Sequence, residues 1–294
     1  MVRAVDEYAS AVVEASKSAL VELMTILKSY SDALVLVGGW VPYFLLQKYQ
    51  KKDNPFRHVG SIDIDIAVNP KVIDAEKYAT IVELVNERGY ANKLDSIGKP
   101  LLYRFEKKTP SPVDRNEYTV VVDFLTSEPK IFSGKKHRHR TVQPDLRARM
   151  MRGCSIVFEH YTYFELKNIL PKNGETVVNL RMADVVGCLG TKGIAFGERY
   201  REKDAYDIYA VIANYKNGPK DASSEVKPHL SNILINEGIK NIVNRFRSIN
   251  AEGPSWVANF LHPHGEDAEA RKRDIANAYM NVNEFIDLLG LKKR

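Results

Sequence analysis

The sequence predicts an α+β protein, with a strand-rich N-terminal half followed by a helical C-terminal half. Three observations carry this expectation. Short runs that are wholly apolar, or that alternate apolar with polar residues, recur between residues 34 and 180. Clusters of Gly, Pro, Ser, Asp and Asn separate them, at 38–39, 110–116 and 171–174. From Arg181 onward the apolar residues fall at helical spacing instead, as in Ala205, Ile208, Tyr209 and Ile212, and again in Ile275, Tyr279, Val282, Phe285, Ile286 and Leu289. The division is placed at residue 172, giving an N-terminal domain over 1–172 and a helical domain over 173–294.

Each element follows from its local pattern. Tyr8, Val12, Ala15, Leu20, Leu23, Met24 and Leu27 make residues 5–29 an amphipathic helix. Leu34-Val-Leu-Val37 is a short apolar strand ended by Gly38-Gly39, and Pro42 lies near the start of a helix over 40–49. Residues 47–57 are polar and read as a loop. Residues 62–68 alternate strictly, a strand pattern. A helix is expected over 74–88, stopped by Gly89. Residues 101–105 and 118–125 read as two strands joined by a turn, and 155–158 and 176–180 as two more around the turn at 171–174.

Composition narrows the classes. Of 294 residues, 44% are hydrophobic and 27% charged, the mix of a soluble globular protein. No run approaches the roughly 18 apolar residues of a membrane span, and acids arrive too early at the N-terminus for a signal peptide. The two cysteines, Cys154 and Cys188, cannot make a zinc site and read as reduced thiols, so a cytoplasmic location is expected. The formal net charge of +6 is compatible with a nucleotide or nucleic-acid partner. Gly187-Cys-Leu-Gly-Thr-Lys192 has the wrong residue order for a phosphate loop and no strand before it. His262-Pro-His264 lacks further ligands nearby.

The chemistry concentrates in Ser61-Ile-Asp-Ile-Asp-Ile66. On a strand, Asp63 and Asp65 share one face while Ile62, Ile64 and Ile66 fill the other. Two stacked carboxylates repel each other and lose hydration if buried. A hard divalent cation relieves both costs, and Mg²⁺ prefers carboxylate oxygens together with substrate phosphates. Asp123, in Val120-Val-Val-Asp-Phe-Leu125, could supply a third carboxylate from a neighbouring strand. The bland reading is an amphipathic edge strand with solvated aspartates, although Asp is depleted in strands. Gly38-Gly39 either shapes a strand-to-helix turn or lets the backbone approach a phosphate at a helix N-terminus.

Gly38-Gly39, then Ser61-x-Asp63-x-Asp65, then Asp123 on a later strand resembles the nucleotidyltransferase superfamily of DNA polymerase beta type. Lys192-Gly-Ile-Ala-Phe-Gly-Glu-Arg199 followed by Arg201-Glu-Lys-Asp-Ala-Tyr-Asp-Ile-Tyr209 is similar to the "K…A…R…KD..D" segment of AbiEii-like nucleotidyltransferases, which include the MenT-type toxins of toxin–antitoxin systems. The matches span residues 34–212. The resemblance implies a small mixed β-sheet flanked by helices, then a helical domain closing over the nucleotide. It also implies transfer of a nucleoside monophosphate from a nucleoside triphosphate to an acceptor, with two Mg²⁺ ions held by Asp63, Asp65 and Asp123. Asp123 would help deprotonate the acceptor hydroxyl. Lys192 would hold triphosphate charge, with Gly38, Gly39 and Ser61 near the nucleotide. Asp204 and Asp207, three apart on a helix, either orient Lys192 or Arg199 or simply charge a helix start.

Residues 130–152 hold eight Lys/Arg, two His and one acid, Asp145. Arg138, Arg140 and Arg147 could contact an RNA backbone, or the run could be a solvated surface. The expected acceptor is RNA such as tRNA, with a cognate antitoxin as a further partner and no membrane. The rivals are a small-molecule hydroxyl acceptor, as in antibiotic-modifying enzymes, and a non-catalytic RNA- or protein-binding module.

Overall fold

A computed structural model describes residues 4–73, 79–128, 139–265 and 267–291. The fold is α+β. Among the described residues the strands are β1 (Leu34–Val37), β2 (Asp63–Val68), β3 (Ala91–Leu94), β4 (Pro100–Pro110), β5 (Glu117–Ser127), β6 (His139–Thr141), β7 (Arg147–Met151), β8 (Tyr161–Ile169) and β9 (Glu175–Ala183). The helices are α1 (Ser10–Ile26), α2 (Trp40–Tyr49), α3 (Ile81–Asn86), α4 (Val185–Glu198), α5 (Glu202–Asn214), α6 (Pro219–Val226), α7 (Ile233–Arg245), α8 (Glu252–Leu261) and α9 (Ala268–Leu289). None is long and apolar enough to cross a membrane.

The chain divides into two compact units, and neither is one continuous stretch. A sheet unit comprises Ala9–Trp40 and Ser61–Ala183; a helical unit comprises Met1–Tyr8, Val41–Gly60 and Asp184–Arg294. The linear division at 172/173 is therefore replaced by an interleaved one, in which residues 41–60 leave the sheet unit and return.

Among the described residues the sheet has nine strands, more than the small sheet expected, in the order β3-β4-β5-β2-β1-β9-β8, with β7 joining β5 and β6 joining β7. It is mixed: β2 runs parallel to β5, and β1 parallel to β9, whereas β1/β2, β4/β5 and β8/β9 are antiparallel. Ile64, Ile66, Phe105, Val122 and Phe124 are fully buried on one face. On that face Lys107 of β4 reaches Glu22 of α1 (Nζ–Oε2 2.6 Å), so α1 is the helix that covers it. Its Ser16 accepts a hydrogen bond from Trp40 Nε1 at 3.2 Å.

Two expectations are corrected here. Residues 155–158 form a 3₁₀ turn (Cys154–Phe158), not a strand. Gly153 in the left-handed region, φ 79°, turns the chain so that Cys154, Ile156 and Val157 enter the core. The strand that pairs with β9 is β8, further along. The helix expected over 74–88 begins at Ile81, where Thr80 and Glu83 form a capping box; residues 74–78 of that expectation lie outside the described residues. Both cysteines are buried thiols, and burial pushes the Cys188 thiol up to about 12.

In the helical unit, Leu46 of α2, Tyr206 and Ala210 of α5 and Phe260 of α8 form a core cluster, with Val5, Tyr8, Phe56 and Val59 packed against it. Helices α4 and α7 cross at Gly190, Gly193 and Gly238. A β-carbon on Gly193 would overlap the main-chain oxygen of Gly238, and one on Gly238 that of Gly190. The absent side chains let the two backbones touch.

Candidate active site

In the sheet unit the strand register brings the three expected carboxylates to one face. Asp65 stands opposite Asp123 across the parallel β2/β5 pair, and Asp63 stands two residues before Asp65. Because side chains alternate, all three leave the face opposite the Ile64/Phe124 core. Asp123 is buried, while Asp63 and Asp65 are half-buried.

The Gly38-Gly39 turn lies against this row. Val37, the last residue of β1, pairs with Asp65. Gly38 follows with φ 74°, and a β-carbon there would overlap the Asp65 carboxylate. A β-carbon on Gly39 would come within 2.5 Å of Ser61 Oγ. Ser61 is buried and donates its hydroxyl to the Asp63 main-chain oxygen at 3.0 Å. The glycines are thus required by the acid and the serine that pack against them.

Sequence reasoning missed Arg104. On β4 it is the register partner of Asp123, and its guanidinium grips both carboxylate oxygens, Nε–Oδ1 at 2.6 Å and Nη2–Oδ2 at 2.5 Å. That fork geometry is the strong form of an arginine–carboxylate pair. The hydrogen bonds to Asp123, and its charge, hold Arg104 above its ordinary value against the opposing effect of burial; Asp63 adds a smaller push. The β4/β5 hairpin was legible as two strands, but not its register, and the register is what places Arg104.

The donor set tests the expected metal. Three carboxylates are hard oxygen donors and suit Mg²⁺. As they stand, no three His, Cys, Asp or Glu side chains among the described residues are arranged to hold a metal ion, and Asp123 turns both oxygens to Arg104. Asp63 and Asp65 supply the same oxygen donors from the neighbouring strand; Asp123 joins them once its salt bridge opens.

The expected residues of the helical unit form a second cluster, a buried ion network. Lys192 of α4 donates to Asp207 Oδ2 at 2.6 Å and lies 3.4 Å from Asp204 Oδ1. Lys203, one turn before Asp207 on α5, donates to its Oδ1 at 2.7 Å. Arg199 donates to Asp204 through Nε at 2.9 Å. His58, also missed, closes the network: Nε2 lies 2.9 Å from Asp207 Oδ1, and Gly60 N–H donates to Nδ1 at 3.1 Å. Since Nδ1 accepts, Nε2 carries the proton and donates to Asp207.

The electrostatics follow from burial and pairing. Burial, reinforced by Lys203, lowers His58 to about 4, so the ring is neutral at pH 7. Asp207 is wholly buried, which alone would raise it; Lys192, Lys203 and His58 outweigh that and hold it far below the carboxylate range. Lys192 is raised, because Asp207 and Asp204 together overcome its burial. Lys203 is lowered by burial, with Asp207 compensating only in part. Lys192 therefore has its charge matched within the chain. Holding triphosphate charge, the role implied for it, would mean giving up these partners. Lys203 was within reach of sequence reading as an i, i+4 partner of Asp207. His58, 149 residues away, left no local signal.

The basic run splits between two faces. Arg138 lies outside the described residues. Arg140 on β6 pairs with Ala148, whereas Arg147 and Arg149 flank Ala148 on β7, so Arg140 faces the opposite way from both. Arg149 is the partner of Leu125, two residues beyond Asp123, which puts Arg147 and Arg149 on the carboxylate face. His139, the partner of Arg149, stacks on Tyr103 with ring centroids 4.7 Å apart. Burial lowers His139, with Arg149 and Arg147 adding to the effect.

Comparison of the chain with protein-family models, with curated proteins and with solved structures finds no match.

Proposed function

We propose that the chain is a metal-dependent nucleotidyltransferase with the nucleotidyltransferase fold, transferring a nucleoside monophosphate from a nucleoside triphosphate to a hydroxyl of RNA such as tRNA. The observation that carries this reading is the register of β1, β2 and β5, which sets Asp63, Asp65 and Asp123 on one sheet face beside a Gly38-Gly39 turn shaped to Asp65 and Ser61. Asp63 and Asp65 would hold the metal, with Asp123 as a third ligand once released from Arg104. Bound Mg²⁺ supplies charge neutralisation of the triphosphate and favours in-line displacement at the α-phosphorus. The acceptor oxygen bonds to the α-phosphorus as the bond to the β-phosphate oxygen breaks; Asp123 takes the hydroxyl proton and pyrophosphate leaves. Support for an RNA acceptor comes from Arg147 and Arg149 on the carboxylate face, which suit phosphates, and from the Tyr103–His139 stack, which suits an unpaired base.

The test is incubation of the full chain with each labelled nucleoside triphosphate, Mg²⁺ and total RNA. Label in RNA, lost in Asp63→Asn and Asp65→Asn, is expected. Label only in a small-molecule acceptor would move the reading to the antibiotic-modifying type. The grip of Arg104 on Asp123 favours a second reading, a binding module without catalysis, and that reading requires no incorporation into any acceptor. The toxin role and an antitoxin partner rest on the sequence resemblance; growth arrest on expression, relieved by Asp65→Ala, tests them.

A further inference from the structure

Across β2, β5 and β4 the register sets Asp65, Asp123 and Arg104 in one row, each opposite the next. Asp123 thus has a carboxylate on one side and a guanidinium on the other. Three carboxylates on one face repel one another unless a cation lies among them, and Arg104 supplies one against Asp123. It takes both oxygens of Asp123 and is held up by Asp63 as well. A divalent cation shared by Asp65 and Asp123 needs an Asp123 oxygen that Arg104 now holds. Two cations therefore compete for one carboxylate.

We propose that Arg104 is the counter-ion that Asp123 exchanges for the metal: it balances the Asp123 charge in the metal-free protein and leaves Asp123 when the metal binds. The exchange is physically accessible, since the Arg104 side chain keeps 29% of its surface exposed and rests beside the open Tyr103–His139 stack, with Cζ 5.7 Å from the Tyr103 ring centre. Water therefore reaches the arginine side of the pair, and a divalent cation bound by several carboxylates can displace the guanidinium. Once released, the planar guanidinium has five donors on the face where a phosphate would lie. Arg104 is in this sense a positioning residue, acting through Asp123. The inference rests on the metal-binding reading above.

The experiment is a Mn²⁺ titration of the full chain, followed by electron paramagnetic resonance of the free ion, for the wild type, Arg104→Gln, Asp123→Asn and the double variant. Removing the competitor should tighten Mn²⁺ binding about tenfold in Arg104→Gln, while the metal-free variant melts at a lower temperature than the wild type. In the Asp123→Asn background the same arginine substitution should leave the affinity unchanged, because the carboxylate being contested is gone. Should Arg104→Gln fail to fold, Arg104→Lys keeps the charge and loses the fork, and should tighten binding by a smaller factor. In the wild type, the Arg104 Nε–H resonance should shift on Mg²⁺ addition. Unchanged or weaker Mn²⁺ binding in the arginine variants overturns the exchange and leaves the metal site standing. Absence of Mn²⁺ binding in the wild type and every variant overturns the metal reading, and the exchange with it.

Discussion

Acidification should unlock the helical unit through one residue, His58. In the fold it is buried, neutral and titrates at about 4, because burial and the charge of Lys203 oppose its protonation; unfolded, it titrates near the ordinary 6.5. The sign follows from proton uptake. Above pH 6.5 neither state binds the proton and His58 has no effect on the pH dependence. Below 6.5 the unfolded chain takes it up and the folded chain does not, so stability falls until the pH reaches about 4. At 1.36 kcal/mol per pH unit, that interval amounts to about 3 kcal/mol. The loss is large against a typical folding stability of roughly 5–15 kcal/mol. Urea unfolding followed by circular dichroism at 222 nm, at pH 7, 5.5 and 4, for the wild type and His58→Gln, isolates the effect from other titrating groups. The variant should be weaker at pH 7, having lost the bond from Gly60 and the fit to Asp207, yet lose about 3 kcal/mol less on acidification. Parallel pH profiles for the two proteins would refute the assignment of a buried neutral His58.

Other outcomes are equally specific. Asp207→Ala leaves Lys192 and Lys203 buried without their shared carboxylate and is expected to cost about 3–5 kcal/mol in denaturant unfolding, since an uncompensated buried charge remains. Gly38→Ala places a β-carbon on the Asp65 carboxylate at a left-handed φ, a conformation costing roughly 1–2 kcal/mol for other residues. Nucleotide incorporation should be abolished while the melting temperature falls only modestly. Arg147→Ala with Arg149→Ala should weaken RNA binding and flatten its dependence on salt, whereas Arg140→Ala, on the other face, should leave both almost unchanged in filter-binding assays.

The carboxylate row was legible because it is made by short-range rules. Alternation put Asp63 and Asp65 together, and the apolar runs around Leu34–Val37 and Asp123 identified the neighbouring strands. What sequence could not supply was register: which β4 residue meets Asp123, or that the basic run turns Arg140 away from Arg147. β6 and β7 lie in the segment read only as a basic run, and two other missed strands share a cause. β3 and β8 are the outer strands of the sheet path, and β8 buries only Leu166 along its length, so neither shows the apolar signature of a buried strand. Conversely, Cys154–Phe158 carries that signature without being a strand, because its apolar side chains are drawn into the core from a turn. The reassignment of residues 41–60 to the helical unit depends on Leu46 and Phe56 meeting Tyr206 and Phe260, contacts that no local pattern announces.

That interleaving has a consequence for the order in which the chain can mature during synthesis. Leu46, Phe56 and His58 emerge from the ribosome long before their partners on α5 and α8 exist; 149 residues separate His58 from Asp207 alone. At about 5–20 residues per second, the delay is roughly seven to thirty seconds. Throughout it the segment carries an apolar face and a histidine with no carboxylate to meet, while the strands of the sheet unit emerge in turn and become able to pair. The helical unit is thus obliged to finish last. A nascent chain paused between residues 183 and 204 would present an unpartnered apolar segment to chaperones or to its neighbours, and protease sensitivity confined to residues 41–60 would mark that window.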